Sequence, residues 1–155
     1  MIRRRLTAAG AVYLSPAVTV VPSSGAAERV LRRVRHVITD AGGSAVLLRG
    51  EAIGGAAEMT AALNRACDRE YQDIIVGCGD AVTSIEALTA AADYRFEQLW
   101  DRGAALKQLT ARYAAIRQRD TLGAGQTQAV ASALAGYQAA LDEYARHVYA
   151  TDAAS

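Results

Sequence analysis

Apolar positions recur in this chain with two different periods, and the change falls near residue 56. Before it the runs are short and broken by turn residues. IRRRLTAA (2–9) predicts a short helix, ended by Gly10. AVYL (11–14) and AVTVV (17–21) are β-rich runs separated by Ser15-Pro16 and closed by Pro22. They predict a hairpin, or one bent strand. Ser23 or Ser24 supplies a hydroxyl to cap the next helix, and Glu28 falls in its first turns, where the helix dipole favours an acid. That helix extends to about Ala41. Val30, Val34, Val37 and Ile38, with Leu31 on the flank, form its apolar stripe, and Arg29, Arg32, Arg33 and His36 lie opposite. Gly42-Gly43 ends it. SAVLLR (44–49) predicts a third strand, and Gly54-Gly55 marks a loop.

Beyond Ala56 every signal is helical. Met59 and Leu63 lead into Tyr71, Ile74, Ile75, Cys78, Val82, Ile85 and Leu88, spaced by threes and fours. Gly77 and Gly79 lie inside this segment and weaken it by about 1 kcal/mol each relative to alanine, which leaves room for a bend or break there. Asp93 is the expected cap of a helix to about Gln118, with Phe96, Leu99, Leu106, Leu109, Tyr113 and Ile116 as its apolar positions and Trp100 beside them. A turn follows over 120–125. In the last helix Val130, Leu134, Tyr137, Leu141, Tyr144 and Val148 alternate by four and three, a heptad seam. The last two helices form an antiparallel hairpin that must cover its remaining apolar face with the 67–91 helix or with another chain. An ordinary intramolecular bundle is the plainer reading of this seam, and its six residues are otherwise the candidate partner interface.

Composition agrees with a helix-rich domain. The chain has 155 residues, 52% of them hydrophobic, and only two prolines, both within the first 22 positions. No run of about 18 apolar residues is present, and Thr7, Gly10, Ser15 and Pro16 interrupt what would be a signal-peptide core. A cytoplasmic protein without a membrane partner is expected. Cys67 and Cys78 stand eleven residues apart, about 16 Å along a helix, so they cannot pair within the chain and are expected in the core.

The net charge of +1 conceals an asymmetry. Residues 1–49 carry eight arginines against Glu28 and Asp40, whereas residues 50–155 carry nine basic and fourteen acidic residues. A basic surface of this kind faces an anionic partner, or the acidic half of another copy. Arg3, Arg4, Arg5, Arg29, Arg32 and Arg33 are the candidate nucleic-acid-binding residues. A solvated basic face with no ligand is the plain alternative. No helix-turn-helix is evident, so any DNA contact is expected at the phosphate backbone. The phosphate-cradling, zinc-protease and paired-cysteine motifs are missing. Glu70 and Asp73 lie one turn apart without a histidine in reach. Neither an enzyme nor a cofactor or metal site is expected.

Four segments then bring a family into view: GAVYLSPAVTVVP (10–22), AGGSAVLLR (41–49), CDREYQDIIVGCGDAVTSIE (67–86) and RDTLGA (119–124). Their order and spacing resemble the N-terminal domain of the chromate-resistance regulators, from about residue 3 to about residue 149. The resemblance implies a ferredoxin-like βαββαβ front end followed by a helical arm. A similar front end occurs in a small CRISPR-associated nuclease and in a phenylacetate-type repressor family. A role in chromate stress is also implied. Family members that sense chromate carry a further C-terminal domain, and the chain stops before it. It also departs from the family by opening directly at IRRRL, where a hydrophobic strand is expected. That leaves a rearranged three-stranded sheet, a gap filled by another chain, or a start site placed too late. The resembling nuclease places its metal-binding aspartate at the end of that strand.

The expectation is therefore an α+β fold, mostly helical. A ferredoxin-like subdomain over 1–55, with its first strand missing, precedes a helical arm or bundle over 56–155, packed as one domain. The expected function is that of a regulatory or accessory protein linked to chromate stress, binding DNA through its basic face. The alternative is a protein-interaction or homodimerisation module that uses the C-terminal helical hairpin.

Overall fold

Local turn chemistry divides the chain much as the pattern predicts. A computed structural model describes residues 1–153 and is 71% helical, with five helices and one antiparallel two-stranded sheet among them. The elements are α1 (Ile2–Ala8), β1 (Val12–Ser15), β2 (Val18–Val20), α2 (Gly25–Asp40), α3 (Ala56–Ala90), α4 (Phe96–Arg119) and α5 (Thr127–Asp152). They form two compact units. The first comprises Met1–Asp68 with Ile116–Ala124, and the second comprises Arg69–Ala115 with the chain from Gly125 onward.

In the first unit, Leu6 is the buried residue of α1. Gly10 reverses the chain at φ +79, and a Cβ there would meet the Arg119 side chain at 3.4 Å. The hairpin pairs Val12 with Val20 and Tyr13 with Thr19, and its register shifts between Tyr13 and Ser15. Ser24 caps α2 in an extended conformation, its hydroxyl accepting the Ala27 N–H at 3.1 Å. Ala27 and Val34 are the buried residues of α2, which packs on α1. The remaining stripe positions Val30, Leu31, Val37 and Ile38 are only half-buried. Leu63, Cys67, Ile116 and Ala124 complete this core.

The third strand expected over 44–49 is not formed. The hairpin leaves two free edges, but 44–49 pairs with neither, since β1 and β2 are bonded only to each other among the described residues. A β-prone run forms a strand only where a partner meets it. SAVLLR instead follows α2. The Arg35 Nε donates to the Ala45 carbonyl at 3.1 Å, and Arg49 reaches Glu28 at 2.7 Å.

The second unit packs α3, α4 and α5 around three buried tyrosines. Tyr71, Tyr137 and Tyr144 lie with Ile74, Cys78, Ile85, Leu106, Val130, Leu141 and Val148 in its interior. The Tyr137 hydroxyl donates to the Arg102 carbonyl at 2.8 Å, and that of Tyr144 to the Asp93 carbonyl at 2.5 Å. Each phenol thus buries its ring while its polar tip keeps an acceptor. Between α3 and α4, the Tyr71 and Tyr113 rings tilt together at 5.9 Å and Arg102 donates to Ser84 at 2.8 Å.

Gly77 and Gly79 do not interrupt α3, which is one helix of 35 residues. A Cβ on Gly77 would sit 3.4 Å from Leu109, so that glycine lets α4 approach closely. Asp93 is not the cap of α4, which starts later, at Phe96. Its carboxylate instead accepts from Arg95 Nε and Nη2, each at 2.7 Å. Cys67 and Cys78 are buried, and desolvation pushes the Cys78 thiol up.

Candidate nucleic-acid interface

Helical geometry decides which arginines act together. At about 100° per residue, Arg29, Arg32 and Arg33 fall within an arc of about 100°, opposite Ala27 and Val34. All three are exposed. Three successive arginines cannot share a face in the same way. Arg3, Arg4 and Arg5 fan around α1 in steps of about 100°. Arg3 lies over the Tyr13 ring, its guanidinium carbon 5.3 Å from the centroid, whereas Arg4 and Arg5 are simply exposed. The structure therefore brings the α2 triad together and splits the α1 triad.

The α2 face is not uniformly positive. Glu28, read from the sequence as a helix-dipole acid, bridges two arginines. Arg32 donates to Oε1 from Nη2 at 2.7 Å and from Nε at 3.1 Å, and Arg49 donates to Oε2 at 2.7 Å. The Arg32 hydrogen bond and charge, with Arg49, hold the Glu28 carboxyl below its ordinary value of 4.5. Arg32 thus reaches an anionic partner already shared with Glu28, while Arg29 and Arg33 form no ion pair among the described residues.

Three arginines outside the expected set have defined structural work. Arg35 and Arg49 hold the 44–49 segment along α2. Arg119, at the end of α4, donates from Nη1 to the Thr7 and Ala8 carbonyls at 3.0 Å each, so it caps the C-terminus of α1. Nothing local in the sequence links position 119 to position 7, because that pairing is made across more than a hundred residues.

The heptad seam of α5 lies elsewhere. Val130, Tyr137, Leu141, Tyr144 and Val148 are buried within the second unit itself, and Leu134 is half-buried. Burial pushes the Tyr137 and Tyr144 phenols up, as removal from water requires of an acid. No cluster of three or more histidine, cysteine or acidic side chains suited to a metal occurs among the described residues, and no helix there is long and apolar enough to cross a membrane.

Comparison with known proteins gives no match among the curated proteins and none among the solved structures. The model of one protein family, described as "Protein ChrB, N-terminal", matches residues 1–155, the whole chain. The chain that carries this arginine-faced helix and three-helix unit therefore belongs to the ChrB N-terminal family.

Proposed function

We propose that this chain is a non-catalytic regulatory module of the chromate-resistance type that holds duplex DNA by its phosphate backbone through α2. The exposed arc of Arg29, Arg32 and Arg33 carries this reading. Exposed cations gathered on one helical face suit contacts to a phosphate backbone, which position a protein without reading base edges. Family membership supports the link to chromate stress. The charge of the first unit points the same way, with eleven basic against six acidic residues, whereas the second has six against ten.

Fluorescence anisotropy with a labelled duplex, titrated at several salt concentrations, tests the reading. Affinity should fall steeply with salt and depend little on sequence. Replacing Arg29, Arg32 and Arg33 together by alanine should flatten the log–log salt slope by about two to three, roughly one per lost phosphate contact. An unchanged affinity and slope in the triple variant would remove α2 as the site.

A further inference from the structure

The segment after α2 combines a backbone without intramolecular backbone partners with a self-complementary sequence. Residues 46–53 form no backbone–backbone hydrogen bond among the described residues. Their side chains face water: Val46 is 80% exposed, Leu48 is 89% exposed and Ile53 is wholly exposed. Apolar, β-prone residues with free amides and carbonyls offer an edge for another strand.

The order of residues suggests which strand fits. In Leu47-Leu48-Arg49-Gly50-Glu51-Ala52-Ile53, opposite charges flank Gly50 and apolar residues lie outside them. Laid antiparallel on an identical segment with Gly50 at the two-fold axis, Arg49 falls opposite Glu51 of the second copy. Leu47 then meets Ile53, and Leu48 meets Ala52. Registers centred on Arg49 or on Glu51 instead oppose like charges, which disfavours cross-strand pairing. Gly50 meeting itself places no side chains at the axis. A two-fold contact of this kind requires one patch to complement itself.

We propose that a second copy of this chain occupies this edge, through antiparallel pairing of residues 47–53 about Gly50. Arg35 and Arg49 hold the segment against α2 in each copy, so its course is set before association. Arg49 has donors enough for both Glu28 and the facing Glu51. The pairing stands on the exposed segment and its charge order, independently of the DNA reading, and its test contains no DNA.

Sedimentation equilibrium of the full chain, from low to high micromolar concentration, should find a monomer–dimer equilibrium. Glu51→Arg sets arginine opposite arginine at both symmetry-related pairs and should weaken the dimer by about tenfold or more. In the triple variant E28Q/R49E/E51R the cross-strand charges are complementary again, and the amide introduced at position 28 can donate to the carboxylate introduced at 49, so the segment stays held to α2. This variant should recover the dimer. A wild-type chain that stays monomeric overturns the proposal. So does a dimer indifferent to E51R, or a triple variant no better than E51R alone.

Discussion

At the scale of single residues, the ends of α2 and α3 solve one problem with different side chains. After α2 the Gly43 N–H donates to the Ile38 carbonyl and the Gly42 N–H to that of Thr39. After α3 the Asp93 N–H donates to Leu88 and the Ala92 N–H to Thr89. Both ends need a left-handed residue, which is Gly42 at φ +80 in one and Ala92 at φ +50 in the other. Ala92→Gly should therefore raise stability by about 0.5–1 kcal/mol, against the usual trend for glycine, and a thermal melt reads the gain. Tyr137→Phe should cost about 1 kcal/mol, because it leaves the Arg102 carbonyl without its buried donor. Glu28 supplies a pH dependence. Its carboxyl is held below 4.5, so its contribution is complete above that value and is lost as pH falls through the lowered one. Glu28→Gln should flatten melting temperature against pH on the acid side of 4.5, and an unchanged profile would show that the Arg32 and Arg49 pairs do not stabilise the fold.

At the scale of elements, α3 carries two glycines in different surroundings. Gly79 has open space where a Cβ would go, whereas Gly77 faces Leu109 at 3.4 Å. Gly79→Ala should gain about 0.5–1 kcal/mol of helix propensity. Gly77→Ala should gain less, because the added Cβ meets Leu109 at the near limit of ordinary contact and leaves the pair no slack. Equal gains in chemical denaturation would mean that α4 does not pack closely at Gly77. The sequence made the helices legible because each carries a 3.6-residue period over several turns. It misplaced the 44–49 strand because a short apolar run states β-propensity and leaves open whether a neighbouring edge exists. It misread Asp93 because a capping residue and an arginine partner look alike until the helix start is fixed.

At the scale of the whole molecule, the two units differ in how thoroughly their helices are buried. In α2 two of sixteen residues are buried, whereas α5 buries five large side chains along its seam. Amides of α2 should therefore exchange with solvent faster than those of α5, as hydrogen-exchange mass spectrometry would measure. Comparable protection in both helices would show that the first unit is held by more than its visible core. The candidate site was legible only in part. The arc of Arg29, Arg32 and Arg33 follows from spacing within one helix, and so was readable. The neutralising share of Glu28 with Arg49, and the fanning of Arg3 to Arg5 with Arg3 over Tyr13, needed the fold.

Five helices, the α2 arginine face and the family were readable from the chain alone, and the hairpin and the α2 cap were narrowed to two readings each, since all rest on local period, local turn chemistry or collinear motifs. The tertiary structure was needed to show that the α5 seam is buried within its own unit, that Arg119 closes the end of α1, and that residues 44–49 lie along α2 without a strand partner among the described residues. The division has a physical cause. Helices and turns are settled by neighbours in sequence, whereas burial, long-range hydrogen bonds and strand pairing depend on which distant group arrives to meet them.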